Sequence, residues 1–178
     1  ILLNRVQPSL SEDADIHSTA VITGRVHIGD GCIIRPGTVI EGPVHIGNNC
    51  DIGPMAVITG STTIASGTRI GPFSRIRSSF LMEDVQVDSG TWLQRSVIGP
   101  ASVLRSHVHV DVGETHKTGK VGEIHVRRLG LVTGEACTLE HGVVSAPGTI
   151  LGSRVVVQRR VRISGEHASG SEIQSGGI

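Results

Sequence analysis

Histidine gives this sequence its widest choice of chemistry, because a pKa near 6.5 suits proton transfer and a neutral ring can bind a metal ion. The 178-residue chain contains nine histidines. His107 and His109 are two residues apart, so on one strand they would face the same side. With His116 they come nearest to a three-histidine zinc site, but their spacing does not fit one. We predict no metal site, and we expect His27 and His45 to stack on adjacent turns of the fold.

Arginine is the second candidate, since its guanidinium group forms paired hydrogen bonds with phosphate. Arginines are concentrated between residues 69 and 105. The candidates in that stretch for binding a phosphorylated substrate are Arg75, Arg77, Arg95 and Arg105, together with Trp92. The alternative is that these side chains only cover a solvated surface.

The composition excludes several classes of function. Sixteen basic and sixteen acidic side chains give a formal charge of zero, which argues against a nucleic-acid partner. No apolar run approaches the roughly 18 residues that span a membrane. Three cysteines, Cys32, Cys50 and Cys137, form neither a disulfide framework nor a Cys-x-x-Cys motif, so we expect a cytoplasmic protein. Because the chain begins at Ile1 rather than Met, we expect it to be part of a longer protein.

A six-residue repeat must position these side chains. Isoleucine recurs at every sixth position from Ile16 to Ile76, usually followed four residues later by a small or β-branched residue such as Cys32 or Cys50. A helix needs spacings of three and four, and an ordinary strand a spacing of two. A period of six instead fits a chain wound around a triangular prism, with one large inward residue per face and 18 residues per coil. The sequence therefore predicts an all-β protein, a left-handed parallel β-helix of hexapeptide repeats, with the cysteines filling corners.

The repeat also predicts the limits of the domain. We expect residues 1–12 to be a leading segment that ends a missing domain or linker, residues 13–164 to be the β-helix, and residues 165–178 to be a C-terminal tail. No hexad covers residues 111–128, which we predict to form one projecting loop.

The register is less regular after Ile76. We expect Met82 to follow Ile64 in one inner column and the repeat to resume at Leu93, with one five-residue step before Ile98. Beyond the loop the hexads return, and the expected inward positions are Val132, Thr138, Val144, Ile150 and Val156.

Several short motifs carry a resemblance to a known family. They are Ile-Glu-Gly-Pro-Val-His-Ile-Gly at Ile40–Gly47, Asp-Ile-Gly-Pro at Asp51–Pro54, Ile-Gly-Pro-Phe-Ser-Arg-Ile at Ile70–Ile76, Ser-Val-Ile-Gly at Ser96–Gly99, Arg-Arg-Leu-Gly at Arg127–Gly130 and Ala-Pro-Gly at Ala146–Gly148. From Asp13 to Arg162 the chain resembles the C-terminal β-helix domain of sugar-1-phosphate nucleotidylyltransferases, especially the archaeal kind. That domain is similar to the one in bacterial bifunctional N-acetylglucosamine-1-phosphate uridylyltransferases.

The resemblance implies a homotrimer whose partner is a sugar phosphate or a nucleotide sugar. In that family a separate N-terminal domain with bound Mg²⁺ makes the nucleotide sugar, and its Gly-x-Gly-Thr-Arg loop is absent here. The family's β-helix transfers acetyl from acetyl-CoA to an amino-sugar phosphate, with a histidine as general base. Alignment on Ser96–Gly99 puts Ser89 at the position of that histidine and Trp92 at that of a tyrosine. The small corner beside the acyl-CoA cleft corresponds to Arg105–Val108.

Three functions are compatible with these observations. The leading hypothesis is a trimerising β-helix domain of a sugar-1-phosphate nucleotidylyltransferase, in which Ser89 replaces the catalytic histidine. The alternative is an active acyl-CoA-dependent acyltransferase that uses His107 or His109 as base and the arginines to hold the sugar phosphate. A third is a metal enzyme similar to the γ-class carbonic anhydrases.

Overall fold

The computed structural model of the chain describes residues 8–119 and 122–174. Three parallel sheets of nine, nine and eight strands run side by side, and a two-stranded antiparallel hairpin interrupts them. This architecture confirms the predicted left-handed β-helix, with about eight coils and about 18 residues per turn. No helix in the described residues is long and apolar enough to cross a membrane.

Strands of the three sheets are only two or three residues long, because one hexad crosses each face of the prism. The first fourteen strands are β1 Ser9–Leu10, β2 Asp15–Ile16, β3 Val21–Thr23, β4 Val26–Ile28, β5 Ile33–Ile34, β6 Val39–Glu41, β7 Val44–Ile46, β8 Asp51–Ile52, β9 Val57–Thr59, β10 Thr62–Ile64, β11 Arg69–Ile70, β12 Arg75–Arg77, β13 Phe80–Leu81 and β14 Gln86–Val87. The remaining strands are β15 Trp92–Gln94, β16 Val97–Ile98, β17 Val103–Leu104, β18 His109–Val110, β19 Gly113–Gly119, β20 Gly122–Leu129, β21 Val132–Thr133, β22 Thr138–Leu139, β23 Val144–Ser145, β24 Ile150–Leu151, β25 Val156–Val157, β26 Arg162–Ile163, β27 Glu166–His167 and β28 Glu172–Ile173.

Each sheet takes one strand from every coil. Sheet A runs β1-β4-β7-β10-β13-β16-β21-β24-β27, sheet B runs β2-β5-β8-β11-β14-β17-β22-β25-β28, and sheet C runs β3-β6-β9-β12-β15-β18-β23-β26. Strands β19 and β20 form the hairpin. A residue therefore pairs with the residue one coil later, as Ile40 does with Ile58.

The isoleucines form the predicted inner columns. Ile34, Ile52 and Ile70 stack in sheet B and are each at most 2% exposed. Ile33, the neighbour of Ile34, faces outward and is 38% exposed. Because burying an isoleucine side chain contributes roughly 1.5–3 kcal/mol, these columns hold the coils together.

One predicted column member is wrong. Leu81, rather than Met82, pairs with Ile64, and Leu81 is fully buried. The physical reason is a shorter face, since the step from Ile76 to Leu81 takes five residues instead of six. The step from Ile76 to Leu81 thus precedes the expected five-residue step from Leu93 to Ile98.

The inward positions after the hairpin are also displaced by one residue from those predicted. Val132 is only partly buried, whereas Thr133 is 5% exposed and lines the core. The insertion resets the phase of the repeat. In these strands the outward residue is itself Val, Thr or Ile, types that are common in strands, so residue type does not mark the inward position. The residues that line the core are Thr133, Leu139, Ser145, Leu151 and Val157, in place of Val132, Thr138, Val144, Ile150 and Val156.

Small side chains close the corners, as predicted for the cysteines. The Cys32 thiol donates a hydrogen bond to the carbonyl oxygen of Gly47 at 2.9 Å, and the Cys50 thiol to that of Ala65 at 3.2 Å. All three cysteines are buried and free. Every buried side-chain nitrogen and oxygen in the described residues has a hydrogen-bond partner.

The predicted loop at residues 111–128 contains the hairpin, in which the backbones of His116 and His125 pair. Strand pairing also extends outside residues 13–164. At the start, β1 pairs with β4. At the end, where a tail is expected, β27 and β28 pair with β24 and β25 and continue the coil to Ile173.

Candidate functional site

The predicted site residues lie on three separate surfaces of the prism. Arg75, Trp92 and His109 occupy the outer face of sheet C. Arg105 and His107 lie where the chain turns from sheet B to sheet C. A third surface, where the chain turns from sheet C to sheet A, carries Arg77 and Arg95.

The outer face of sheet C carries a connected row of side chains. The guanidinium carbon of Arg75 lies 6.0 Å from the centroid of the Trp92 ring, and the Trp92 and His109 rings meet edge to face at 5.0 Å. His109 Nε2 lies 3.2 Å from Asp111 Oδ1. Arg162 donates a hydrogen bond to the other Asp111 oxygen at 3.0 Å. A carboxylate beside an imidazole can fix its tautomer and leave the second ring nitrogen to accept a proton.

His107 does not share this face, so the expectation drawn from its spacing to His109 is wrong. His107 has a φ of 61° and lies in the turn before β18, where the chain changes direction. Its ring meets that of His141 edge to face at 5.4 Å. The two histidines therefore do not form a pair that could act on one substrate.

The corner between sheets B and C also holds Ser89. Its hydroxyl donates a hydrogen bond to the Ser106 hydroxyl at 3.3 Å. Arg105 Nη1 lies 3.6 Å from Asp88 Oδ2, and both side chains are half-exposed. An ion pair in such contact with water is weak, so Arg105 is only loosely held.

Arg77 and Arg95 line a pocket of about 400 Å³ where the chain turns from sheet C to sheet A. Arg128, from the last strand of the hairpin, completes the basic lining, and Glu114 is its one acidic residue. The other lining residues are Ser78, Gln94, Val112 and Gly113. The pocket thus combines residues from successive coils with the base of the hairpin.

Two histidines of sheet A, His27 and His45, line a groove of about 520 Å³. The rings of His27 and His45 are parallel within 7°, with centroids 4.7 Å apart, which confirms the predicted stack. Partial burial lowers the pKa of His45, and the nearby His27 lowers it further. The lowered pKa of His45 favours its neutral form.

No three histidine, cysteine, aspartate or glutamate side chains in the described part of the chain come together where they could hold a metal ion. Of the three histidines considered for zinc, His107 and His109 face different surfaces. The side chain of His116 lies outside the described residues.

Sequence reasoning did not select Asp111, Arg128 or Arg162 as site residues. The His-x-Asp spacing of His109 and Asp111 is a signal that could have found the first of them, because side chains two apart on a strand face the same way. Arg128 lies in the inserted hairpin and Arg162 follows it. The period of six therefore could not place either arginine on a face of the prism.

Solved structures share this architecture at low sequence identity. LpxA from Acinetobacter baumannii matches with 16% identity and a TM-score of 0.58, over 93% of this chain and 66% of that chain. The UDP-N-acetylglucosamine acyltransferase of Francisella novicida matches with 13% identity and a TM-score of 0.45, over 88% and 60%. The chain thus spans 66% of the length of the Acinetobacter protein and 60% of the length of the Francisella protein. A comparison with curated protein sequences found no match.

The fold and the comparison with LpxA define the chain as a left-handed β-helix of hexapeptide repeats. A match to a family model defines the chain more narrowly than its fold does. The family described as the GMPPB C-terminal domain matches residues 40–169. The chain belongs to this family, which confirms the resemblance to a C-terminal β-helix domain.

Proposed function

We propose that this chain is the trimerising β-helix domain of a cytoplasmic sugar-1-phosphate nucleotidylyltransferase, and that it holds together catalytic domains located elsewhere in the protein. The match of residues 40–169 to a family defined as a C-terminal domain is the observation that carries this proposal. A scaffold needs a rigid body and exposed surface for self-association, and the β-helix provides both.

Exposed apolar side chains support self-association. Seven large ones lie on the surface of the described residues, and isolated examples would need no explanation. Met55 and Phe73 are 54% and 66% exposed at successive turns of one corner, which makes them neighbours. The other exposed apolar residues are Leu10, Val21, Ile33, Phe80 and Trp92.

The surroundings of Ser89 support a scaffold over an acetyltransferase. A serine hydroxyl needs a partner base to take a proton near neutral pH, and the Ser89 hydroxyl instead bonds that of Ser106. The nearby corner carries Arg105 and His107, which are larger than the residues that border an acyl-CoA cleft in the similar uridylyltransferases.

Two measurements test this proposal together. Sedimentation equilibrium should give a trimer at micromolar concentration, and a monomer would contradict it. Incubation with acetyl-CoA and glucosamine-1-phosphate should release no free CoA thiol. Steady release of the thiol that requires both substrates would favour acyl transfer instead.

An acyl-CoA-dependent acyltransferase is the second candidate, favoured by the contact between His109 and Asp111. If His109 Nε2–H donates to the carboxylate, Nδ1 is left to accept the proton of an attacking amine. Acetyl-CoA would supply the acyl group: a C–N bond forms to its carbonyl carbon, the C–S bond breaks, and the CoA thiolate leaves and takes up the proton that His109 accepted. On this reading His109→Gln lowers turnover by on the order of 100-fold or more. His107→Gln, on a different surface, is the matched control and should leave turnover unchanged.

A further inference from the structure

We propose that the pocket lined by Arg77, Arg95 and Arg128 binds the diphosphate group of a nucleotide sugar. These residues come from β12, from the turn after β15 and from β20, so three separate parts of the chain converge on one pocket. The choice of a nucleotide sugar among diphosphates rests on the proposed function. The pocket's affinity for diphosphate rests on its own residues.

The backbone fixes the relative positions of the three arginines. The carbonyl oxygen of Arg77 accepts a hydrogen bond from the Arg95 N–H at 3.0 Å, so the two residues lie on successive coils of the same corner. The Arg95 carbonyl oxygen accepts one from the Gly130 N–H, also at 3.0 Å. Gly130 follows Arg128 by two residues, so this bond ties the base of the hairpin to the corner.

The charges of the pocket favour a dianion. No ion pair within the described residues involves Arg77, Arg95 or Arg128, whereas Arg35 and Arg162 are each held by an aspartate. Three guanidinium groups and the carboxylate of Glu114 give the lining a formal charge of +2, in a chain whose net charge is zero. The diphosphate bridge of a nucleotide sugar carries two negative charges and offers guanidinium groups the paired oxygens they bind best.

The size of the pocket favours a diphosphate over a single phosphate. Its volume of about 400 Å³ is near the lower end of the 300–1,000 Å³ that small-molecule sites occupy. A single phosphate group fills the space of only a few water molecules, each about 30 Å³ in the liquid. The side chains of Ser78 and Gln94 leave hydroxyl and amide groups for the sugar or the base next to the phosphates.

Calorimetric titration of the chain at low ionic strength tests the inference. The probes are inorganic phosphate, inorganic pyrophosphate, and guanosine and uridine diphosphate sugars. We expect pyrophosphate and at least one nucleotide sugar to bind more tightly than phosphate. Arg77→Gln and Arg128→Gln should each weaken that binding by about tenfold or more. Glu114→Gln should strengthen it, because it removes negative charge from the lining.

Arg69→Gln is the matched control, since Arg69 is also an exposed arginine on a strand but lies on sheet B, outside the pocket. It should leave binding unchanged. The inference is overturned if pyrophosphate does not bind, if phosphate binds as tightly, or if Arg69→Gln weakens binding as much as the pocket variants. Sedimentation of the same samples separates the two proposals, because a monomer that binds pyrophosphate contradicts the scaffold and leaves the diphosphate site supported.

Discussion

The imidazole rings of His27 and His45 stack face to face on adjacent coils, 4.7 Å between centroids. Burial of the His45 ring and the charge of His27 lower the pKa of His45 below its ordinary value of 6.5. As the pH falls through about 6.5, the unfolded chain therefore takes up a proton that native His45 resists. We expect the free energy of unfolding to decrease on this account as the pH falls from about 7 to about 5.

Urea denaturation across this pH range checks the prediction, with His45→Gln as the comparison. The variant should lose less stability on acidification than the parent, because it lacks the imidazole whose protonation is disfavoured in the native state. Equal pH dependence in the two proteins would contradict it. His27→Gln provides a direct test by NMR titration, since removing the neighbouring charge should raise the pKa of His45.

Ile34 and Ile33 offer a matched test of the inner columns. They are the same residue type on one strand, but Ile34 is 1% exposed and Ile33 is 38% exposed. Ile34→Ala should lower the free energy of unfolding by about 2–5 kcal/mol, since it leaves a cavity in a packed core. Ile33→Ala should cost much less. Urea unfolding of both variants measures the difference, and similar costs would mean that the register is wrong.

The fold could be predicted because one inward isoleucine per face is a strong and local signal. The run from Ile16 to Ile76 fixes the period, and every buried isoleucine in it lies where the period places it. The signal fails where a face loses a residue. Leu81 and Met82 are both apolar and adjacent, so the sequence does not reveal which of them faces the core.

The candidate site was harder to predict because its residues depend on turns. His107 and His109 would share a face on a continuous strand, but His107 itself has a positive φ and lies in the turn before β18. Arg128 reaches its pocket through a hairpin that has no repeat, so no period could place it. The pairing of His27 with His45 was predictable because both lie within uninterrupted hexads.

Where the hairpin interrupts the coils, the Thr133 hydroxyl accepts a hydrogen bond that a backbone carbonyl accepts in other coils. Elsewhere the residue after the inward one donates to the backbone of the next coil, as the Gly47 N–H does to the Ile64 carbonyl at 2.8 Å. The Gly99 N–H instead donates to the Thr133 hydroxyl at 2.9 Å, in a buried position. Thr133→Val keeps the shape but removes this acceptor, so we expect a loss of about 1–3 kcal/mol in unfolding free energy.

Thr138→Val is the control for this change, because Thr138 lies one strand later and is only partly buried, and no side-chain hydrogen bond involves it among the described residues. It should be nearly neutral. Thermal and urea unfolding of both variants make the comparison. A Thr133→Val protein as stable as the parent would show that the Gly99 N–H finds another acceptor.

The thiols of Cys50 and Cys137 should be unreactive in the native protein. Burial raises the pKa of Cys50 to about 12 and also raises the pKa of Cys137. Because the thiolate is the reactive form, we expect Cys50 at pH 8 to react with iodoacetamide on the order of a thousandfold more slowly than a free cysteine, whose pKa is about 8.5. Mass spectrometry of timed samples should find all three thiols labelled in urea. Rapid labelling of native Cys50 would mean that this corner of the β-helix opens far more often than its packing implies.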